Sequence, residues 1–399
     1  MPQPSNILHL THTDIRADAR ILRQLELLRG LPQLVVKAIG VESDEGLAAA
    51  RAGTHASDII SLRLLTRRML RMPRQIRYFL NLCELALRMI PKAIAARPRI
   101  VHCHDTLVLP IGVMARLFTG CAVIYDAHEL ESKKSGQTKG LARGTILLER
   151  WCWRHIAALV SVSPSILAWY TENLGSKRSV LVLNSPSFLS AADGPVAGHT
   201  RPPSGLGYFH ERFGIPSGAP VFIYLGYLVR GRGIEGLLEV FRERGFRSHI
   251  VFMGTEDEVG VSRHANEYPN IHLHPVVSHD KVVPLVREAD CGLCLIEDVS
   301  LSDRLCLPNK LFEYAFAGIP VLASRLPEIE RVVNQYRLGI CCENDVTSIK
   351  SAVLGIERAG LAPPPADLSD LSWQAQCERL KDVYLGLLME HHSRSTRGQ

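Results

Sequence analysis

Short apolar segments alternate with amphipathic stretches along most of the chain. In the first half the apolar segments are residues 7–10, 34–39, 100–103, 123–125, 159–162 and 180–183, and in the second half they are 221–225, 250–253, 271–273, 291–296 and 321–323. Strands that are apolar on both faces and are separated by helices are typical of parallel sheets covered by helices on both sides. The pattern therefore predicts doubly wound α/β domains, whose ligands bind at the carboxyl ends of the strands.

A stretch of different composition separates the two halves. Residues 191–205, AADGPVAGHTRPPSG, are small and rich in Pro and Gly, which is typical of a linker. We expect an N-terminal domain over residues 1–190, a linker over 191–206 and a C-terminal domain over 207–370. Residues 371–399 are expected to form a C-terminal helix and tail that packs back toward the N-terminal domain.

Composition narrows the class of protein. A chain of 399 residues, 46% hydrophobic and 22% charged, is long enough to build two hydrophobic cores. Its ten cysteines are scattered, mostly within apolar runs, which indicates reduced thiols and not a disulfide framework. The start has no cationic segment followed by a long apolar run, and no run of about 18 apolar residues occurs, so we expect a cytoplasmic protein.

The net charge of +6 suits anionic partners such as sugar nucleotides or lipid phosphates, and nothing specific indicates nucleic acid. Basic residues are interleaved with apolar ones over residues 63–99, where Pro73 is predicted to separate two amphipathic helices. Two interpretations stay open. The segment is either a surface that attaches the protein to the inner face of an anionic membrane, or an ordinary helix pair with a solvated arginine face.

The most informative segment for chemistry is residues 307–324, LPNKLFEYAFAGIPVLAS. Pro308 and Asn309 begin a short helix, Gly318 ends it, and a buried strand follows. The free amides of the helix N-terminus and Lys310 in its first turn suit a phosphate, while Glu313 can accept hydrogen bonds from ribose hydroxyls. The alternative is that Asn309 only caps the helix and Glu313 only complements its dipole.

This segment resembles the donor-binding motif of glycosyltransferase family 4, retaining enzymes of the GT-B fold. Residues 100–129, 149–166 and 224–241 are also similar to that family, in the family's order, and the likeness runs from about residue 7 to about residue 388. The resemblance implies two Rossmann-like doubly wound domains facing an interdomain cleft. It further implies metal-independent transfer of a hexose from a UDP- or GDP-linked donor to a glycan or lipid-linked acceptor, as in polysaccharide biosynthesis, without a cofactor.

The resemblance also assigns residues. Glu313 matches the second glutamate of the family's E-x7-E motif, which binds the donor ribose, whereas Leu305 stands where the first glutamate would be. Arg232 matches the basic residue at the donor diphosphate, and Tyr227 replaces a second arginine, so phosphate binding is expected to depend on Arg232 and Lys310.

Further family positions complete the expected site. His128 matches the histidine that reaches the donor sugar across the cleft. The residues expected to bind the donor are Gly226, Arg232, Gly233, Asn309, Lys310 and Glu313. Glycosyl transfer passes through an oxocarbenium-like state while a diphosphate departs, so the site must neutralise growing negative charge. His128, Arg232 and Lys310 are therefore the expected catalytic residues, and because the chain has no D-x-D triplet, no metal is expected.

Polar residues that follow the predicted N-terminal strands are candidates for the acceptor side. They are His104, Asp105 and Glu129, with Asp14, Arg16 and Arg20 after the first strand as weaker candidates that solvated helix positions explain about equally well. His102 precedes His104 by two residues, and the alternation of the strand places it on the sheet itself.

Two other classes of protein compete with a transferase. Residues 231–236, GRGIEG, satisfy the G-x-G-x-x-G pattern of dinucleotide-binding oxidoreductases, but residues 227–230 separate them from the preceding strand. The replacements at Leu305 and Tyr227 also leave room for a weakened protein that only binds a nucleotide sugar or a partner transferase. Turnover of a donor would distinguish these classes.

Overall fold

The computed structural model describes residues 5–43, 58–69, 72–186, 207–243, 245–365 and 367–397. The predicted linker, residues 191–206, lies outside these ranges. Contacts between residues divide the chain into two compact units. The first unit comprises Met1–Leu183 and Gln376–Gln399, and the second comprises Asn184–Ala375.

The first unit is built on a seven-stranded sheet with the order β3-β2-β1-β4-β5-β6-β7, in which every pair of neighbours is parallel. Its strands are β1 (Ser5–Leu10), β2 (Leu34–Val41), β3 (Ile59–Leu62), β4 (Ile100–His104), β5 (Ala122–Ala127), β6 (Ala158–Ser161) and β7 (Arg178–Leu181). Its helices are α1 (Ala19–Arg29), α2 (Arg74–Ala95), α3 (Leu109–Thr119), α4 (Lys139–Trp153), α5 (Pro164–Leu174) and the C-terminal α14 (Trp373–Arg397). The strand order reverses between β1 and β4, which is where such sheets bind ligands.

The second unit contains a six-stranded parallel sheet with the order β10-β9-β8-β11-β12-β13. Its strands are β8 (Val221–Leu225), β9 (His249–Met253), β10 (Ile271–His274), β11 (Cys291–Cys294), β12 (Val321–Ser324) and β13 (Gly339–Cys342). Its helices are α6 (Tyr208–Phe213), α7 (Ile234–Arg242), α8 (Val261–Glu267), α9 (His279–Val286), α10 (Leu301–Arg304), α11 (Asn309–Ala317), α12 (Pro327–Gln335) and α13 (Val346–Ala359). Here the order reverses between β8 and β11. The predicted pair of doubly wound domains is confirmed.

Burial explains why the central strands were visible in the sequence. Every residue of β4, β8, β11 and β12 is buried, so β8, β11 and β12 appear as apolar runs and not as alternating ones, whereas β4 also carries His102 and His104. The prediction missed β3 and β13, which lie at the sheet edges and are only partly buried. Within the described ranges, no helix combines the length and the apolar character that crossing a lipid bilayer requires.

The prediction of two amphipathic helices over residues 63–99 is wrong for the first of them. Residues Thr66–Arg68 form only a 3-10 turn, and one long helix, α2, begins after Pro73, which is its N-cap residue. A proline disfavours helical backbone in the residue before it, so a helix cannot continue smoothly into this position. The turn is instead held by α2, because the Glu84 carboxylate accepts the N–H groups of Leu65 and Thr66 at 3.0 and 2.8 Å.

Candidate functional site

In the second unit, the loop after β8 starts at Gly226 in a left-handed conformation, with φ of +116°. Its N–H donates to the carbonyl of Met253, the last residue of β9, at 3.1 Å. A β-carbon at Gly254, the next residue, would overlap the carbonyl oxygen of Gly226. The two loops therefore approach too closely for side chains, and the backbone of Gly226 stays exposed at the carboxyl end of the sheet.

Lys310 lies in the first turn of α11 and is only 8% exposed. Its Nζ lies 3.6 Å from the centre of the Tyr224 ring and about 4 Å from the point where a β-carbon of Gly226 would stand. Among the described residues, this ammonium has no hydrogen-bond partner. Burial lowers the pKa of Lys310 to about 8. A buried cation at a helix N-terminus with no hydrogen-bonded carboxylate among the described residues is an arrangement that an anionic ligand would complete.

The other residues expected at the donor lie around this lysine. Glu313 follows Lys310 by three residues on α11 and is half-buried. The side chain of Arg232 is 38% exposed, and its Nη1 lies 3.9 Å from Oδ1 of Asp303. Asn309 is exposed and is not the helix cap, because Pro308 occupies the N-cap position without a side-chain hydrogen bond. The alternative role for Asn309, as a cap, is therefore wrong.

Gly233 has a structural reason to be glycine. It has a φ of +70°, and a β-carbon there would lie 2.6 Å from Cβ of Leu295, just beyond β11. Its N–H donates to Oε1 of Glu297 at 3.3 Å. Residues 226–233 form a loop between β8 and α7, whereas the dinucleotide fingerprint requires the helix to follow the strand through one tight turn. The geometry thus counts against an oxidoreductase.

In the first unit, polar side chains gather after β4 and β5. His128 is partly buried, with its Nε2 3.3 Å from Oδ2 of Asp126 and its Nδ1 3.8 Å from Oδ1 of Asp105. Burial opposes charging this ring, but the carboxylates of Asp126 and Asp105 outweigh that effect and raise the pKa of His128 to about 9. At neutral pH His128 is therefore a cation that can donate hydrogen bonds or stabilise negative charge, and it is not a general base.

Asp105 has an unusual backbone. Its φ and ψ of 70° and 164° lie in a region that is almost restricted to glycine, and such a conformation costs about 1–3 kcal/mol. Its N–H donates to the carbonyl of Asp126 at 3.1 Å, which helps to hold it there. Strained residues of this kind cluster at functional sites. Glu129, two residues after the end of β5, is 51% exposed and pairs with Lys134 at 3.2 Å.

The remaining acceptor candidates lie in less open positions. Asp14 is buried and accepts the N–H groups of Arg16 at 3.0 Å and of Ser43 at 2.8 Å, so it caps the turn after β1. Arg16 is half-buried in that turn. His104 is the last residue of β4 and is fully buried. The structure therefore brings Asp105 and Glu129 to the rim beside His128 and places Asp14 and His104 inside the unit.

The sequence analysis did not predict the hydrogen bonds that surround Asp126. Arg20 is 5% exposed, so the interpretation as a solvated helix residue is wrong. Its guanidinium donates to both carboxylate oxygens of Asp126, at 2.9 and 3.2 Å, and to the carbonyl of Val182 at 3.0 Å. Gln24 donates to the same carboxylate at 3.0 Å. Burial alone would raise the pKa of Asp126, but Arg20 and His128 hold it well below its usual range. The one available signal was an aspartate inside an apolar strand.

One group of side chains in the described part of the chain has the spacing of a metal site. Ligand atoms of His102, His104 and Asp126 lie within 4.8 Å of one another. The guanidinium of Arg20 already occupies the carboxylate at 2.9 Å, and His128 adds a second positive charge beside it. These cations leave the group without the negative charge that attracts a metal ion, so the residues do not fit one.

Both units match known domain families. Residues 21–186 match the family model described as a glycosyl transferase 4-like domain, and residues 219–357 match the one described as glycosyl transferases group 1. The two matches together span about three quarters of the chain. A search of curated proteins finds no significant match.

Solved structures share the whole fold. The sucrose-phosphate synthase of Thermosynechococcus elongatus is 14% identical, with a TM-score of 0.73 over 97% of this chain and 100% of that one. HepE of Anabaena, in complex with UDP-glucose, is 10% identical, with a TM-score of 0.67 over 97% and 99% of the two chains. A glycosyltransferase of Rickettsia africae is 12% identical, with a TM-score of 0.66 over 96% and 99%. At such identities the likeness shows the fold alone. The two consecutive domain matches of this chain, together with its fold, show that it belongs to the glycosyltransferases of the GT-B type.

Proposed function

We propose that the protein transfers a hexose from a nucleotide-linked donor, held mainly by the second unit, to a glycan or lipid-linked acceptor, held mainly by the first. The observation that carries the proposal is the ammonium of Lys310, which is buried without a hydrogen-bonding partner among the described residues, beside Gly226. A diphosphate would supply the missing negative charge. UDP is the first nucleotide to test, because the Anabaena protein of this fold was crystallised with UDP-glucose, and GDP is the second.

In the proposed donor site, the first turn and the middle of α11 have different tasks. Lys310 and the free amides of its first turn bind the diphosphate, together with Arg232, and Glu313 accepts the ribose hydroxyls. Negative charge grows on the diphosphate as the glycosidic bond breaks. Because Lys310 has no competing carboxylate on its Nζ, its interaction with that charge strengthens toward the transition state, which is the condition for catalysis.

His128 is the proposed catalytic cation of the first unit, with Asp105 and Glu129 orienting the acceptor and Asp14, Arg16 and His104 supporting that region. Transfer proceeds with retention of configuration and without a metal, since protein cations supply the positive charge. Two measurements test this. The anomeric configuration of the first product formed is read by NMR, and the rate is compared with and without EDTA. Inversion of configuration or loss of activity in EDTA would contradict the respective statement.

Nucleotide binding is tested first, by titration calorimetry of the purified protein with UDP, GDP and their sugars. Wild type is expected to bind one of these nucleotides, and Lys310→Met is expected to bind it at least tenfold more weakly, since a charged hydrogen bond contributes about 1.5–3 kcal/mol. The exposed lysine of α9 provides the matched control, because Lys281→Met removes a charge of the same sign from the same unit. Equal binding by both variants would contradict the proposed site, and binding of NAD instead would restore the oxidoreductase alternative.

For the acceptor side we propose that α2 attaches the protein to the cytoplasmic face of an anionic membrane. Ile76, Phe79 and Leu87 recur at helical spacing on one face of α2 and are 52%, 65% and 76% exposed. Beside this apolar face, also at helical spacing, lie the basic residues Arg77, Arg88 and Lys92. Exposed apolar side chains with an adjacent row of cations suit the interface of a negatively charged bilayer.

Vesicle co-sedimentation tests the attachment. Wild type is expected to sediment with vesicles of phosphatidylglycerol and phosphatidylcholine at low salt and to be released as the salt concentration rises. A Phe79→Ser, Leu87→Ser variant is expected to stay in the supernatant. The control is Leu141→Ser, Leu147→Ser, which removes two apolar side chains that are 45% and 62% exposed on α4. Equal sedimentation of both variants would contradict a role for α2.

A further inference from the structure

A closed ring of polar groups lies inside the first unit, and nothing in the proposed reaction uses most of it. Its members come from β1, β4, β5, the loop after β5 and the C-terminal helix α14, and they are His9, His102, His104, Asp126, His128 and Tyr384. All but His128 are fully buried, at 0% exposed. Histidines at such positions are seldom left in a core without a hydrogen-bonding role.

The contacts can be followed around the ring. Starting from Asp126, its Oδ2 lies 3.3 Å from Nε2 of His102, whose Nδ1 lies 2.5 Å from the hydroxyl of Tyr384. That hydroxyl lies 3.2 Å from Nε2 of His9, and Nδ1 of His9 lies 2.9 Å from Nε2 of His104. The ring then returns through His128.

The last two contacts involve the proposed catalytic residue. Nδ1 of His104 lies 3.4 Å from Nε2 of His128, and the same Nε2 lies 3.3 Å from Oδ2 of Asp126. A hydroxyl and a neutral imidazole each donate one proton and accept another, so along the path from Asp126 through His102, Tyr384, His9 and His104 to His128 the protons must all run in one direction or all in the other. The direction is decided where the ring meets charged groups.

Asp126 and His128 set that direction. Asp126 is ionised beside Arg20 and can only accept, so Nε2 of His102 donates to it and Nδ1 of His102 accepts from the Tyr384 hydroxyl. The hydroxyl oxygen then accepts from Nε2 of His9.

The same direction continues to the catalytic residue. Nδ1 of His9 accepts from Nε2 of His104, and Nδ1 of His104 is left bare to face the protonated Nε2 of His128. Burial lowers the pKa of His9, His102 and His104, which fits their neutral state in this arrangement.

We propose that Tyr384 of the C-terminal helix is a positioning residue for His128, because its hydroxyl connects His102 to His9 and so transmits to His104 the proton direction that Asp126 sets. Tyr384 follows His128 by more than 250 residues in the sequence, and two hydrogen bonds, through His9, connect its hydroxyl to His104. The identification of His128 as the catalytic cation rests on the proposed function, whereas the proton arrangement does not.

Loss of the Tyr384 hydroxyl would favour the opposite proton arrangement on His9 and His104. Nε2 of His9 would have no acceptor, so the proton of His9 would move to Nδ1 and be donated to His104. His104 would then carry its own proton on Nδ1, which lies 3.6 Å from Oδ2 of Asp126 and 3.4 Å from Nε2 of His128. Two protonated nitrogens would face each other, and His128 would relieve the conflict by giving up its proton more easily.

The variant Tyr384→Phe tests this, since it removes the hydroxyl and keeps the ring. Tyr170→Phe is the matched control, because Tyr170 is equally buried in the same unit and its hydroxyl donates to Glu149 at 2.7 Å, outside the polar ring. Both variants keep every charged and titratable side chain near His128. These are Asp126, Asp105, Glu129, Arg20, His12, Glu131, Lys134, His102 and His104.

The readout is NMR of protein labelled with 15N-histidine, in which nitrogen shifts report tautomer and charge. Single His→Gln variants assign the signals. In wild type and in Tyr170→Phe, we expect His9, His102 and His104 to carry their protons on Nε2. In Tyr384→Phe we expect His9 and His104 to switch to Nδ1 and the titration midpoint of His128 to fall by roughly one pH unit. The alkaline limb of the kcat profile should move by the same amount.

Two results would overturn the proposal. One is a wild-type protein in which any of the three buried histidines carries its proton on Nδ1, and this result does not depend on how the variants fold. The other is a Tyr384→Phe variant whose His128 titrates like that of Tyr170→Phe. A protein that binds no nucleotide but shows the tautomer switch would contradict the proposed function and still support the role of Tyr384 in the proton arrangement.

Discussion

Replacing Lys310 by methionine is expected to stabilise the second unit while it weakens nucleotide binding at least tenfold. The side chain is 8% exposed, and its Nζ has no hydrogen-bonding partner among the described residues. Methionine keeps the length of the stem and fills the same apolar surroundings without a charge. A residue that strains the free protein and is satisfied only by its ligand is a common form of the conflict between stability and activity.

The expected gain in stability is the cost of burying the Lys310 ammonium minus the stabilisation from its contact with the Tyr224 ring. Burial lowers the pKa of Lys310 from an ordinary value of 10.5 to about 8. At about 1.4 kcal/mol for each pKa unit, holding the ammonium in the folded unit costs about 3 kcal/mol at neutral pH. The contact with the Tyr224 ring, 3.6 Å away, offsets up to about 2 kcal/mol of this cost. We therefore expect Lys310→Met to raise the free energy of unfolding by about 1–3 kcal/mol.

The gain should depend on pH in a defined direction. Below pH 8 the lysine is charged in both the folded and the unfolded chain, so the full cost is present in the wild type. Between about pH 8 and 10.5 only the unfolded chain keeps the proton, and wild-type stability rises with pH. The difference between Lys310→Met and wild type should thus be largest near neutral pH and vanish by about pH 10.5.

Differential scanning calorimetry can measure this difference on the transition that UDP shifts, which identifies the second unit. Each kcal/mol corresponds to about 2–4 °C for a unit of this size. Titration calorimetry at pH 8 in two buffers of different ionisation enthalpy should show the wild type taking up about half a proton on binding UDP, because a diphosphate restores the charge of Lys310. Lys281→Met should show neither effect on stability nor a change in proton uptake. Destabilisation by Lys310→Met, or a gain that does not change with pH, would refute the reasoning.

Three other side chains have effects that can be measured separately. Glu313→Ala is expected to weaken UDP binding by roughly 10- to 100-fold in titration calorimetry, through loss of a charged acceptor for ribose hydroxyls, and unchanged affinity would contradict its role. Arg232→Ala should lower kcat on the order of 100-fold with a smaller effect on donor KM, and Arg232→Lys should be milder; wild-type kcat and KM would contradict the diphosphate contact. Burial lowers the pKa of His12 to about 4, so up to about 3 kcal/mol of stability should be lost as pH falls from about 6.5 to about 4. Urea unfolding of His12→Gln should show a flatter profile there, and an unchanged slope would exclude this histidine.

The fold could be predicted because its signal is local and repeated. A parallel strand buried on both faces is an apolar run, and the central strands β8, β11 and β12 are of this kind. The edge strands β3 and β13 are only four residues long and partly buried, and their short apolar segments were not recognised as strands. The turn over Thr66–Arg68 was mistaken for a helix because its stability comes from Glu84, far along α2, and not from its own sequence.

The helix start at the candidate donor site was predictable for the same reason. Phosphate binding at a helix N-terminus needs a start signal, free amides and a cation in the first turn, and residues 307–313 contain all three within one turn of each other. The isolation of Lys310 was not predictable. It depends on Tyr224 and Gly226, which belong to a strand end that precedes α11 by more than 80 residues.

The histidines of the first unit show where inference from sequence reaches its limit. A histidine inside an apolar strand is usually a core residue that has found one partner, and His9 and His102 fit that description when each is considered alone. Together they matter because hydrogen bonds that lead away from an ionised carboxylate can be donated in only one direction, which fixes the position of every proton along them. No pairwise contact contains that information. The two units differ in this respect: β8 and β11 carry no charged residue and Nζ of Lys310 has no hydrogen-bonding partner among the described residues, whereas in the first unit Oδ2 of Asp126 lies only 3.3 Å from Nε2 of His128 and supplies the negative charge directly.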